Sequence, residues 1–231
     1  RTLDVGGDKP LAYLPMPPEA NPFLGVRGLR LCLARPELLR EQLRAIVRAS
    51  RAGKLRIMFP MVADVSELRA ARAVLAEVAD QAGAQALEVG IMVEIPAAAL
   101  LADSLAREVD FFSIGSNDLT QYTMAMDRGH PTLAARADGL HPAVLRLIER
   151  TVQGAHAAGK WVGLCGELGA DPAAVPILVG LGVDELSVNV PAIPAVKARV
   201  RALSFQQARE VAARALACTT SAEVREKAVL S

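Results

Sequence analysis

A chain of 231 residues that is 52% hydrophobic and 22% charged has enough apolar material for a sizeable core, which excludes intrinsic disorder. Only 3% of it is aromatic, so Ala, Leu and Val must fill that core. With 26 Lys+Arg against 25 Asp+Glu, the net charge of +1 gives no electrostatic reason to expect nucleic acid, and no apolar run of about 18 residues predicts a membrane span.

The chain opens at Arg1 without an initiator Met or an apolar leader, so it reads as a piece of a longer protein. Arg1–Val5 reads as the end of a strand. The Pro- and Gly-rich stretch that follows to Gly28, with Gly6-Gly7-Asp8-Lys9-Pro10 and Pro15-Met16-Pro17-Pro18, reads as loop. Leu38, Leu39, Leu43, Ile46 and Val47 recur at helical spacing behind Pro36, a residue suited to a first helical turn. Leu55–Met61 is a short apolar run. Asp64 with Glu67 resembles a capping box that opens a helix through Val78.

The alternation then repeats. Val89–Glu94 is a buried-strand pattern, and Pro96 opens a helix to about Arg107. Val109–Ser116 is another strand, followed by a polar loop and a helix from Pro142 to Ala158. Trp161–Gly166 is a strand, Asp171-Pro172 starts a helix, Asp184–Val188 is a strand, and a helix runs from about Ile193 to Leu203. After Ser204 the tail reads as one or two amphipathic helices, the second opened by Thr220 with Glu223. This divides the chain into residues 1–203 and a helical tail, 204–231.

Continuous apolar strands between amphipathic helices predict an α/β fold with a parallel sheet, either doubly wound or a (β/α)8 TIM barrel. Acids stand at the ends of several strands: Glu94, Asp118 beside Asn117, and Glu167 beside Cys165. Barrels assemble their chemistry on that rim, and no GxGxxG or P-loop motif speaks for the open sheet. The barrel is therefore expected. About six strands are countable, the stub at Arg1 included, so the barrel is truncated and its first two βα units lie upstream.

Glu94 and Asp118 are 24 positions apart, each following an apolar strand, so one βα unit places them side by side. Two carboxylates with open water positions suit Mg²⁺, which takes its remaining ligands from a phosphorylated substrate. Most arginines lie at helical spacing and read as solvated faces. Arg1, Arg27 and Arg128 lie off those faces, where guanidinium forks could grip phosphate or carboxylate, though spacing alone equally allows solvated rim residues. Cys165 ends a strand, so it is either a small buried hydrophobe or a rim acid. Cys32, Cys165 and Cys218 are odd in number and lack CxxC spacing, which argues against disulfides or zinc and fits a reducing cytoplasm. His130, His141 and His156 stand near no recognisable nucleophile.

Several runs resemble the PEP-binding domain of enzyme I of the bacterial phosphoenolpyruvate (PEP):sugar phosphotransferase system. They are Arg1-Thr2-Leu3-Asp4-Val5-Gly6-Gly7-Asp8-Lys9, Asn21-Pro22-Phe23-Leu24-Gly25-Val26-Arg27, Ile91-Met92-Val93-Glu94-Ile95-Pro96, Ser113-Ile114-Gly115-Ser116-Asn117-Asp118-Leu119-Thr120-Gln121-Tyr122, Asp127-Arg128-Gly129 and Cys165-Gly166-Glu167-Leu168. The resemblance covers Arg1 to about Leu203. It implies that Glu94 and Asp118 hold Mg²⁺, that Arg1, Lys9, Arg27, Asn117, Asp118 and Arg128 contact phosphoenolpyruvate, and that Cys165 protonates enolpyruvate to pyruvate. It further implies a cytoplasmic homodimer that passes the phosphoryl group to a histidine in a separate N-terminal domain, then to HPr for sugar uptake, with no nucleic acid and no membrane. The parent would be enzyme I or a multiphosphoryl-transfer fusion, and the fragment alone would be inactive, since an arginine-bearing strand and the phosphoacceptor histidine are missing. Ser116 and Val26 depart from the commoner Thr and Trp but keep a hydroxyl and an apolar packer. Pyruvate phosphate dikinase or PEP synthase shares the Glu, Asn-Asp and Cys-Gly pattern, and a non-catalytic dimerisation or regulatory fragment is the remaining alternative.

Overall fold

The computed structural model describes residues 1–6, 9, 11–84 and 87–227; Gly7, Asp8 and Pro10 of the expected loop and residues 228–231 of the expected tail lie outside them. Five strands form one parallel sheet: β1 (Arg56–Phe59), β2 (Glu88–Val93), β3 (Phe111–Gly115), β4 (Trp161–Cys165) and β5 (Glu185–Ser187). Their spatial order is their order in the chain, with no reversal. Arg1–Val5, expected as the end of a sixth strand, belongs to none of the five; it lies beside β1, with the Thr2 N–H donating to the Met58 carbonyl at 3.1 Å.

Every residue of β3 and all but the first of β2 are buried, because helices cover the sheet and leave neither strand a solvated face. The helices are α1 (Gly28–Ala34), α2 (Pro36–Ala49), α3 (Val65–Ala82), α4 (Pro96–Leu100), α5 (Ala102–Leu105), α6 (Ser116–Met124), α7 (Pro142–Ala157), α8 (Ala174–Leu181), α9 (Ile193–Arg201), α10 (Phe205–Leu216) and α11 (Ser221–Lys227). Helix α3 starts where the caps predict: the Asp64 carboxylate accepts from Ser66 N and Glu67 N, while Glu67 reaches back to Ala63 N. It stops at Gly83, whose φ of 58° no β-carbon obstructs. The helix expected from Pro96 to Arg107 is broken at Leu101 into α4 and α5.

A further expectation is corrected. The stretch after Ser116 is not a polar loop but helix α6. Its polar residues Ser116, Asp118, Thr120 and Gln121 are buried along with Leu119, so it shows no apolar stripe from which a helix could be read. The true loop runs from Ala125, which has φ 51°, to His141, the N-cap of α7.

The tail packs against the helices that cover the sheet, chiefly α8, rather than standing apart. Helix α10 lies so close to α8 that a β-carbon on Gly180 would sit 2.0 Å from the Ala208 carbonyl oxygen, and Ala208, Val211, Ala212 and Ala215 are buried there. Val224 of α11 is fully buried. Among the described residues no helix is long and apolar enough to cross a membrane.

The two ends of the sheet differ. At the strand starts the Phe111 and Trp161 rings stack at 4.9 Å, with the Arg56 guanidinium over Trp161 and paired to Glu88. At the strand ends stand the acids, arginines and thiol described next.

Candidate active site

Arg27 is the centre of the site and is wholly buried. It is the N-cap of α1, held there by the Gly28 N–H, which donates to the Val5 carbonyl, and by Gly28 itself at φ 54°. A β-carbon at Gly28 would lie 2.9 Å from the Met61 side chain and 3.2 Å from Asp4, so only glycine lets the chain turn so tightly. The guanidinium forks onto Asp4, with Nη2 at 3.0 and 3.2 Å from its two oxygens and Nε at 3.4 Å. Its Nη1 donates to Asp118 Oδ1 at 3.2 Å and to the Tyr122 hydroxyl at 3.1 Å. Tyr122 in turn donates to the Phe23 carbonyl at 2.6 Å. Burial opposes the charge on Arg27, but hydrogen bonds and charge from Asp4, then Asp118, raise its pKa above the usual arginine value.

Asp4 is the residue that sequence reasoning missed. It lay inside the quoted Arg1–Lys9 run, yet its partner is 23 positions away, beyond the reach of any local pattern. Its side chain is 1% exposed and also accepts from Lys9 Nζ at 3.2 Å, with Arg1 Nη1 at 4.0 Å. Burial works to raise its pKa, but the Arg27 hydrogen bonds and charge, joined by Lys9, hold it below the ordinary carboxylate value. One carboxylate thus gathers three of the cations expected to contact substrate.

Glu94 follows β2 and Asp118 lies in the first turn of α6, directly after β3, the neighbouring strand. Both are buried and line one cavity of about 160 Å³, together with Arg1, Lys9, Met92, Gly115, Ser116, Asn117, Arg128, Cys165 and Gly166. Gly115 makes room for Glu94, since a β-carbon there would meet Glu94 Cγ at 2.5 Å. Glu94 Oε2 accepts from Met61 N at 2.8 Å, and Met61 holds φ at 56°, a strained conformation for a side chain of that size. Burial, then the charge of Asp118, pushes the Glu94 carboxyl up to about 7.

That shift has a defined sign. The stability it contributes is full below the unfolded value of 4.5 and is lost as pH rises through about 7, opposite to the Asp4 contribution. In EDTA, Glu94→Gln is therefore expected to melt close to the parent at pH 5 and above it at pH 8. Calorimetric Tm values at the two pH values check this; an advantage no larger at pH 8 than at pH 5 contradicts it.

Asn117 braces the next strand: its Oδ1 accepts from Glu167 N at 3.1 Å, and Ser116 donates to the Cys165 carbonyl at 2.8 Å. Gly166, at φ 108°, permits this, because a β-carbon would lie 2.3 Å from Ser116 Oγ and 2.9 Å from Asn117 Oδ1. Cys165 Sγ is 3.9 Å from Ser113 Oγ, and burial first, then the Glu94 charge, raises its thiol pKa against the opposing Ser113 contact. Arg128 approaches Asp118 Oδ2 at 3.7 Å, and its backbone N–H is fixed by Gln121 Oε1 at 3.0 Å. All eight residues singled out from the sequence thus meet at one place.

The remaining cysteines and histidines have local roles. Cys32 and Cys218 are buried and donate weakly to the Leu3 and Arg214 carbonyls. His141 caps α7, His130 accepts from Thr132 N, and His156 pairs with Asp184. Among the described residues no cluster of three or more His, Cys, Asp or Glu could hold a metal by itself. Two buried carboxylates lining one cavity, one with a raised pKa, nonetheless suit a cation whose other ligands come from water and substrate.

Residues 1–205 match the family described as PEP-utilising enzyme, PEP-binding domain. The chain is 59% identical over 225 residues to a multiphosphoryl transfer protein of Rhodobacter capsulatus, an overlap of 97% of this chain and 27% of that protein. It is 50% identical over 230 residues to a phosphoenolpyruvate-protein phosphotransferase of Bacillus subtilis, covering 97% of this chain and 40% of the relative. The chain therefore spans well under half the length of either relative. Among solved structures, a citrate lyase of Burkholderia xenovorans superposes with a TM-score of 0.56 at 22% identity, over 81% of this chain and 65% of that one, a likeness of fold alone.

Proposed function

Because this chain belongs to the PEP-utilising enzymes as their PEP-binding domain, we propose that it binds phosphoenolpyruvate for a PEP-protein phosphotransferase, in enzyme I or in a multiphosphoryl-transfer fusion. The observation that carries this reading is the single cavity on which Glu94, Asp118, Arg1, Lys9, Arg128 and Cys165 converge, with Arg27 buried behind it. Residues 1–203 form the PEP domain and 204–231 its helical tail. The sheet is part of a (β/α)8 barrel whose first two units precede Arg1; the unreversed strand order and the hydrogen bond from Thr2 to β1 support this. In the longer protein the phosphoryl group passes to a histidine of an N-terminal domain and on to HPr, in a cytoplasmic homodimer.

Glu94 and Asp118 are the residues that hold the divalent cation, Mg²⁺. When bound, that ion supplies positive charge against the phosphate and the developing enolate. Arg1, Lys9, Arg27 and Arg128 grip the phosphate and carboxylate of the substrate, Arg27 from behind the cavity wall, and Asn117 and Asp118 orient it. As the phosphoryl group moves from the enol oxygen to an imidazole nitrogen, an N–P bond forms and the P–O bond breaks, and its electron pair stays on the oxygen to give enolpyruvate. Cys165 then gives its proton to the methylene carbon and pyruvate departs. A thiol whose pKa is raised by burial keeps that proton at neutral pH, as a general acid must.

Isothermal titration of the full-length protein tests the reading. Phosphoenolpyruvate is expected to bind one per chain with Mg²⁺ present and to lose that affinity in EDTA. No heat of binding in either condition would overturn it.

A further inference from the structure

The C-terminal helix α11 reaches back to the rim of the site through one side chain. Arg225 forks onto Asp138, with Nε to Oδ2 and Nη2 to Oδ1 both at 2.8 Å, and its Nη1 reaches Asp171 Oδ2 at 3.0 Å. Val224 beside it is fully buried, so the helix cannot swing away without exposing an apolar anchor. The two acids belong to different loops. Asp138 ends the loop that carries Arg128, and Asp171 closes the turn Glu167–Ala170 that follows Cys165.

These loops meet in the structure. A β-carbon at Gly139 would lie 3.1 Å from Leu168, and Leu140 is fully buried. A cavity of about 650 Å³ is lined by Arg225, Asp138 and Asp171 together with Arg128, Asn117 and Ser116, and the last three also line the smaller site cavity. Each acid is already fixed on its own loop: Asp138 Oδ1 accepts from Leu140 N at 3.0 Å and Asp171 Oδ1 from Ala173 N at 2.8 Å. A displaced guanidinium would therefore move loops, not only side chains.

An isolated half-exposed ion pair stabilises little, and Arg225 is 45% exposed. Three short bonds from one planar fork to two carboxylates on separate loops are a different case, because their geometry defines the distance between those loops. The Ala125–His141 loop is also held by the Arg128 N–H on Gln121 Oε1, by the approach of Arg128 to Asp118 and, at its far end, by the α7 cap.

We infer that α11 is a latch and Arg225 a positioning residue, which sets the Arg128 loop against the Cys165 turn so that the cavity fits its substrate. This rests on the phosphoenolpyruvate reading above and adds a residue beyond the 205 positions matched by the family. Arg225 does not touch the reacting atoms. Its loss should weaken capture of substrate more than it slows the chemical step.

Arg225→Ala and Asp138→Asn in the full-length protein are each expected to raise the KM for phosphoenolpyruvate by roughly five- to ten-fold with kcat within about two-fold, and the double variant should be no worse than either. Arg225→Lys should fall between, since an ammonium cannot span both acids. Glu226→Ala, an exposed neighbour on α11, should leave KM unchanged. Hydrogen exchange of residues 125–141 gives a readout independent of turnover and of the folding of any one variant, and is expected to speed up in both Arg225→Ala and Asp138→Asn. An unchanged KM in both, or additive losses in the double variant, would overturn the latch. If the parent fails to bind phosphoenolpyruvate, the substrate reading falls; unchanged exchange in the loop then decides separately against the latch.

Discussion

Replacing Arg27 by methionine is expected to destabilise the protein by about 3–5 kcal/mol, the range seen when one partner of a buried ion pair is removed. The reason is what remains behind. Asp4, with a side chain 1% exposed, loses its bidentate partner and keeps, among the described residues, Lys9, which is partly solvated, and the more distant Arg1. Asp118 loses its 3.2 Å donor and faces Glu94 with less positive charge nearby. Methionine restores the packing volume, so the loss reports charge and hydrogen bonding more than a cavity. Adding Asp4→Asn to Arg27→Met should recover part of the deficit, because a neutral amide tolerates burial better than an orphaned carboxylate. Urea midpoints of the parent, both single variants and the double variant form the cycle. A loss below about 1 kcal/mol for Arg27→Met would mean that the buried network is not the site's structural centre.

The same network shows where sequence reading succeeds and where it stops. Strands β2, β3 and β4 were legible because apolar runs of that length, bounded by turn residues, leave few alternatives, and α3 because Asp64 and Glu67 announce its start. Glu94 and Asp118 were legible as a pair because adjacent parallel strands convert a 24-position spacing into proximity. Helix α6 was not legible. It is nine residues long and buries polar groups that serve the site, so Thr120 and Gln121 erase the periodic stripe on which recognition depends. Asp4 and Arg225 escaped for another reason. Their roles lie in ion pairs spanning 23 and 87 positions, and a lone Asp or Arg carries no local mark of a distant partner. Residues whose chemistry lies at the end of a strand are readable; those that hold them in place need the fold.

On the proposed reading, Cys165→Ser is expected to separate two steps that the site would join, phosphoryl transfer and proton delivery to carbon. Phosphorylation of the acceptor histidine in a single turnover should stay within a few-fold of the parent, because the thiol's proton is needed only after the phosphoryl group has left. Pyruvate formation on the enzyme should fall by about 10²–10⁴-fold, the usual contribution of a positioned general acid. Serine occupies nearly the same space and could keep the contact with Ser113, so packing changes little. Its hydroxyl is far too weak an acid to protonate carbon, whereas the thiol is both acidic enough to donate and, with its pKa raised by burial and by Glu94, still protonated at neutral pH. Glu94→Ala and Arg128→Ala should behave in the opposite way and abolish phosphoryl transfer itself, since Glu94 would hold the cation and Arg128 would grip the substrate. The contrast guards against a general collapse of the site, which would depress both steps in every variant. Single-turnover phosphorylation measured alongside steady-state pyruvate release makes the separation visible. If pyruvate release is unchanged in Cys165→Ser, the thiol is a packing residue at the end of β4 and the proton comes from elsewhere.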